Sequence, residues 1–292
     1  MRERTNFELQ SFKQIVWHRS GMNENPNAKD SPKTLLICHE GAELDREGLA
    51  RWLASFSELV GIIVLRERPQ RMWRRIKREL KRVGPVRFLD VLAFRAYYKI
   101  FISARDRAWE ERRLQSLRDR YPVLPKAPTL VTHSPNSSEA ERFIRDRAPD
   151  IMIARCKTLL KENIFSIPRH GTFVMHPGIC PEYRNAHGCF WALANGDADK
   201  VGMTLLRIDK GVDTGPIYGY YGCDYDAARE SHIVIQHRVV LDNLPAIRDR
   251  LLEIHRGEAI PLDIQGRESA AWGQPWLSHY LRIKRQAKRR SV

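Results

Sequence analysis

Residues 173–217 read FVMHPGICPEYRNAHGCFWALANGDADKVGMTLLRIDKGVDTGPI. An apolar run leads into His176-Pro177-Gly178, and the Pro-Gly pair ends a strand and turns the chain sharply. Further on, Gly211-Val212-Asp213-Thr214-Gly215 sets a lone carboxylate between two glycines that allow a tight bend around it. One histidine and one carboxylate at the exits of buried strands predict an acid–base pair on a rigid α/β scaffold. In such folds ligands bind at the carboxyl ends of parallel strands. Histidine titrates near neutrality, so it can shuttle a proton or, when protonated, stabilise an oxyanion. Each residue alone has a plainer reading, a structural histidine and an ordinary Asx turn. Their combination, with the Pro-Gly turn, favours a site. Two residues before the histidine stands Val174, where a polar partner is expected.

Working outward, Lys33 to Cys38 and Val60 to Leu65 read as short buried strands around a helical stretch, Leu49 to Leu59. This β-α-β pattern implies a parallel sheet. Arg71 to Val83 is a basic helical stretch, Phe88 to Ile102 is crowded with aromatics, and Arg105 to Arg120 is highly charged. Together they predict a helical insertion over about 66–121. Strands are expected at 127–133, 150–154 and 171–175, with helices at 138–147 and 159–165. A strand pair, 201–208 and 217–221, should flank Asp213. Residues 227–257 read as one helix broken near Pro245. The domain plan is a leader at 1–32, an α/β domain at 33–225, and a short C-terminal helical extension with a basic tail at 226–292.

The chain carries a net charge of +15, and 42% of its residues are apolar, enough for a sizeable core. No apolar run is long enough to span a bilayer, and the first residues hold no signal-peptide core. Its five cysteines form no CxxC pair, so neither a zinc knuckle nor a disulfide framework is expected, and no metal is predicted. Cytoplasmic localisation is expected, peripheral at the inner membrane surface if the basic aromatic stretch at 66–102 contacts lipid. The charge favours an anionic partner, with nucleic acid the weaker candidate. Burial in a homodimer interface or against the core explains the same aromatics equally well.

The ordered motifs resemble the formyltransferase superfamily. They are Pro149-Asp150, His176-Pro177, Pro181-Glu182-Tyr183-Arg184-Asn185, Trp191-Ala192-Leu193, Asn195-Gly196-Asp197, Gly202-Met203-Thr204 and Val212-Asp213-Thr214-Gly215. The resemblance implies a Rossmann-like parallel-sheet domain using N10-formyltetrahydrofolate to formylate an amine. The acceptor would be an amino sugar, an amino acid derivative or a lipid-linked amine. It makes His176 the oxyanion-stabilising residue and Asp213 its positioning partner and proton relay. It places the pterin against Arg155, Lys157, Leu159, Leu160, Val212 and Thr214. The family's asparagine falls on Val174, which has no hydrogen-bonding group in its side chain. Losing one oxyanion donor typically costs on the order of a hundredfold to a thousandfold in rate. Three readings stay open: a substitute donor from Asn185 or His187; altered acyl chemistry such as formyl-folate hydrolysis or carbamoyl transfer; and a non-catalytic module binding anionic surfaces. Cys180 as a covalent nucleophile has no paired base to support it.

Overall fold

The computed structural model of the chain describes residues 31–67 and 69–290. Residues 1–30 of the expected leader lie outside the described residues, as do the last two residues of the tail. The sheet is built from β1 (Lys33–His39), β2 (Glu58–Leu65), β3 (Thr129–Thr132), β4 (Ile151–Ala154) and β5 (Gly171–His176), all parallel, in the order β3-β2-β1-β4-β5. A two-residue strand, β6 (Arg184–Asn185), lies outside this sheet. The antiparallel pair β7 (Gly202–Arg207) and β8 (Ile217–Gly222) extends it beyond β5.

Why these strands are nearly continuous apolar runs is visible in their packing. Leu36, Cys38, Ile62, Val64, Ile151, Ile153, Phe173 and Met175 face one core. The intervening Leu35, Ile37, Ile63, Leu65, Met152 and Ala154 face another. Side chains alternate along a strand, so a sheet covered on both faces needs apolar residues at every position. The second core is closed by α4 (Ser138–Arg147) and α5 (Glu162–Phe165), through Ala140, Ile144 and Ile164. Ser137 caps α4 by accepting the Ala140 N–H at 3.2 Å.

The first core is closed by α1, wound as a π-helix over Leu44–Leu49 and continuing as α-helix over Ala50–Ala54. Next along the chain is the stretch read as an insertion. Helix α2 (Pro69–Tyr97) breaks at Gly84-Pro85, where Gly84 takes φ 79°. It passes through a π-wound joint (Tyr98–Ile102) into α3 (Ser103–Arg120). This stretch is a structural layer: Phe94, Ile102, Leu114 and Leu117 lie in the same core as the sheet. The aromatics expected on one interfacial face therefore divide. Phe94 is buried against Phe190 and Tyr280, while Phe101 is exposed; the side chain of Trp73 lies outside the described residues. No described helix is long and apolar enough to cross a membrane.

The C-terminal helices also pack on the sheet. Helix α6 (Gly188–Asn195) comes after β6, and the helix read over 227–257 as broken near Pro245 is α7 (His232–Leu241) followed by α8 (Leu244–Arg256). The break falls at Asp242-Asn243, with Pro245 in the first turn of α8, where its missing N–H costs nothing. Val239, Val240, Ile247 and Leu251 pack into the sheet's own core. Last come β9 (Ala271–Trp272), paired with β6, and α9 (Leu277–Arg290).

One buried carboxyl staples the helical layer to α7. Asp106 on α3 is 1% exposed and accepts the Tyr98 hydroxyl at 2.9 Å and the Ser231 hydroxyl at 2.5 Å. Ser231 in turn caps α7 by accepting the Val234 N–H. Burial pushes the Asp106 carboxyl above its ordinary range, against the lowering effect of these hydrogen bonds. The folded state therefore holds a proton that the unfolded chain releases near pH 4. The associated stability is full in acid and is lost as pH rises through the folded value. The melting temperature of wild type relative to Asp106→Asn should fall as pH rises across the acid range. Asp106→Ala, which strands the buried Ser231 hydroxyl and the half-buried Tyr98, should cost about 2–3 kcal/mol in denaturant melts.

Candidate active site

His176 is the last residue of β5, and the turn after it explains why it is 4% exposed rather than open at the sheet edge. That turn packs backbone against backbone. A β-carbon on Gly178 would stand 2.5 Å from the Tyr183 carbonyl oxygen, and one on Gly188 would stand 2.5 Å from the Gly178 α-carbon. Only glycine allows this approach. It brings the Tyr183 carbonyl to 2.8 Å from His176 Nε2, which donates to it. Thr204 on β7 fixes the same turn: its hydroxyl donates to the Gly178 carbonyl and accepts the Cys180 N–H.

On the other side of the ring, His176 Nδ1 stands 3.4 Å from Asp213 Oδ2. Asp213 lies between β7 and β8, at the far end of β7 from Thr204. Its loop leaves β7 with the Ile208 N–H bonded to the Thr172 carbonyl, near the start of β5, and returns to His176 at Asp213. Its backbone is left-handed at φ 53°, and its Oδ2 also accepts the Asn185 N–H at 2.8 Å. Arg184 clamps the loop by donating to the Val212 carbonyl at 2.9 Å. Both ring nitrogens of His176 thus face acceptors. The neutral ring keeps its proton on Nε2 toward Tyr183, and a second proton on Nδ1 meets the Asp213 carboxylate.

Val174, two residues back on the same face of β5, is half-buried, pairs in register with Leu206 and packs against the Cys180, Leu206 and Ile217 cluster. The two other donors considered for its role are engaged elsewhere. Asn185 gives its side-chain N–H to the Trp272 carbonyl at 2.5 Å. His187, at φ 56°, packs on His232 at 5.4 Å and meets Gln236. Burial, with Lys157 and Arg95 nearby, pushes its pKa down to about 4. The Cys180 thiol is fully buried, and burial together with Asp213 pushes its pKa up, which removes the thiolate a nucleophile needs.

The residues expected at the pterin are split between scaffold and surface. Arg155, just after β4, donates to Asp45 on α1 at 3.0 Å and to the Met175 carbonyl at 2.6 Å, tying two strand exits to a helix start. Leu160 is buried, whereas Leu159 remains 65% exposed and Lys157 is open to solvent. Thr214 gives its hydroxyl to Asp209.

A segment that motif reading does not single out covers the His-Pro turn. Residues 262–273 run from a bond between the Leu262 N–H and the Ile217 carbonyl to one between the Ala270 N–H and the Pro181 carbonyl. Arg267 pairs with Glu182 through two nitrogens, at 3.0 and 2.7 Å, and lies over the Tyr220 ring. Trp272 stacks on Tyr183 and on Trp191 and donates to the Glu182 carbonyl at 2.8 Å. The available signal was an arginine and a tryptophan in an otherwise polar extended segment.

The described fold is a Rossmann-like α/β arrangement, and similarity to known proteins agrees with that fold. Residues 98–241 match a family model described as formyl transferase. Methionyl-tRNA formyltransferase of Thermotoga neapolitana is 38% identical over 91 residues, 31% of this chain and 29% of that protein. The Thermus thermophilus protein of the same name is 31% identical over 129 residues, 41% of this chain and 42% of that protein. The match thus spans less than half the length of these relatives. Phosphoribosylglycinamide formyltransferase from Anaplasma phagocytophilum shares the fold with TM-score 0.50 and 12% identity, over 83% of this chain and all of that one. Glycinamide ribonucleotide transformylase 1 from Symbiobacterium toebii gives TM-score 0.50 and 13% identity, over 86% and 98%. The resemblance to the formyltransferase superfamily carried by the motifs is borne out.

The glycine pair gives a direct test of the turn. Gly188→Ala should cost about 3 kcal/mol or more, because backbone lies on both sides of the new carbon. Gly222→Ala, with nothing within 4 Å of the added carbon, should be close to neutral in the same melts.

Proposed function

We propose that the chain is a folate-dependent N-formyltransferase acting on an amine of a specialised acceptor. The observation that carries this reading is the approach of His176 Nδ1 to Asp213 Oδ2 at the exit of β5, inside the segment that matches the formyl transferase family. In formyl transfer from N10-formyltetrahydrofolate the acceptor amine attacks the formyl carbon, the bond to N10 breaks, and the amine proton ends on N10. The surface at the ends of β4 and β5 suits such a donor. Leu159 offers exposed apolar surface for a flat ring, and the exposed Lys157 ammonium suits an acidic tail.

Asp213 holds the Nδ1 side of the ring and shares any proton that arrives there. Donation to a developing oxyanion falls to Nε2, which must exchange the Tyr183 carbonyl for the substrate oxygen. The 178–185 turn and the segment over it therefore have to shift when substrate enters. Val174 supplies no donor of its own, so transfer by this chain relies on His176 and whatever backbone N–H the shifted turn presents. The same valine favours one second reading, formyl-folate hydrolysis. As acceptor, a lipid-linked amine is supported by an exposed apolar row on α2 and the joint after it: Val86, Leu89, Ile100 and Phe101.

Millimolar 5-formyltetrahydrofolate should raise the melting temperature of the purified chain by several degrees. Absence of both a shift and binding heat sinks the folate reading. With formyl-folate and a panel of amino sugars and lipid-linked amines, His176→Ala and Asp213→Asn should each lower transfer about a hundredfold or more, with unchanged circular dichroism. Val174→Asn should raise it on the order of tenfold or more. Release of free formate with no acceptor present selects hydrolysis instead.

A further inference from the structure

At the opposite ends of the same strands lies a second group of titratable side chains that formyl transfer does not use. Asp150 directly precedes β4, His170 directly precedes β5, and His255 sits in the last turn of α8. His170 is six residues before His176, about 20 Å along an extended strand. One ligand atom from each of Asp150, His170 and His255 lies within 4.8 Å of the others. The two imidazoles meet edge to face with centroids 5.3 Å apart. His170 Nε2 and His255 Nδ1 are buried and have no hydrogen-bond partner among the described residues. Two neighbouring imidazoles with unanswered buried nitrogens are costly unless something takes up their lone pairs.

We propose that Asp150, His170 and His255 bind a first-row divalent cation of the zinc class, fastening the end of α8 to the starts of β4 and β5. Two imidazoles and one carboxylate are the donor set of zinc, cobalt or iron(II). Calcium and magnesium prefer all-oxygen shells, and copper(I) prefers sulfur. Backbone bonds hold two of the ligands before any cation arrives. The Lys33 N–H donates to Asp150 Oδ2 at 2.8 Å, and the His170 N–H donates to the Asp150 carbonyl at 2.8 Å. Such outer contacts orient metal ligands. His255 contributes from a helix C-terminus, whose dipole favours a cation. Arg169 beside His170 opposes it, and the Asp150 carboxylate offsets that charge. With three protein ligands the cation keeps at least one position for water. No cysteine takes part, which is why cysteine spacing gave no sign of the site.

The test uses the full chain, stripped with a chelator and titrated with zinc chloride or cobalt chloride. One equivalent of zinc should survive dialysis, and cobalt should give visible d–d bands. Zinc at a hundredfold excess over its dissociation constant should raise the melting temperature by roughly 5 °C. His255→Gln and Asp150→Asn should weaken binding ten- to a hundredfold while melting near the metal-free wild type. His255 is half-buried at a helix end, so its amide variant should fold. Absence of stoichiometric binding up to about 100 µM zinc overturns the proposal. So does wild-type affinity in a His170→Ala/His255→Gln double variant, which would place the metal elsewhere. These variants leave His176 and Asp213 intact, so the outcome is independent of the formyl-transfer reading.

Discussion

The contact on which the site depends is the one between two glycines. Because neither Gly178 nor Gly188 carries a β-carbon, the turn after β5 folds tightly enough to lay the Tyr183 carbonyl on His176. That bond fixes the ring's tautomer and aims Nδ1 at Asp213. Thr204 holds the turn from the neighbouring strand, and Arg184 holds the acid loop from the turn. The histidine and the aspartate are thus positioned by backbone close to both. A change at either glycine disturbs the pair more than most substitutions in the core below it.

The rest of the chain builds on that arrangement. Trp272, stacked between Tyr183 and Trp191, and Arg267, paired with Glu182, lay the C-terminal segment over the turn. The site is therefore closed from two sides, by the loop bearing Asp213 and by residues far along the chain. A substrate oxygen reaches Nε2 only when these layers part. In the proposed formyl transfer, opening precedes chemistry at this histidine.

Much of the fold was legible from residue types alone. The strands at 33–38, 60–65 and 171–175 were readable because burial on both faces demands uninterrupted apolar runs; Pro-Gly marked the exit of the third, and Gly-x-Asp-x-Gly that of the strand at 201–208. How the helical stretches pack on the sheet was not readable. Charged helix faces look alike whether they leave the core or cover it, and only packing shows Phe94, Leu117 and Val239 sharing one interior. Asn185 and His187 were reasonable donors by proximity in sequence. Their backbones adopt left-handed conformations that direct them to Trp272, Gln236 and His232 instead.

By itself the sequence determined the α/β class, the resemblance to the formyltransferase superfamily, and the histidine and aspartate that meet at the sheet edge. Those depend on residue type and local spacing, which the chain states directly. Only the tertiary structure decided that His176 is enclosed between a carbonyl and a carboxylate, that Trp272 and Arg267 cover it, and that Asp150, His170 and His255 converge at the other end of the sheet. Each of these joins residues far apart along the chain, and such meetings are set by the order of strands and the placement of helices. No local pattern records them.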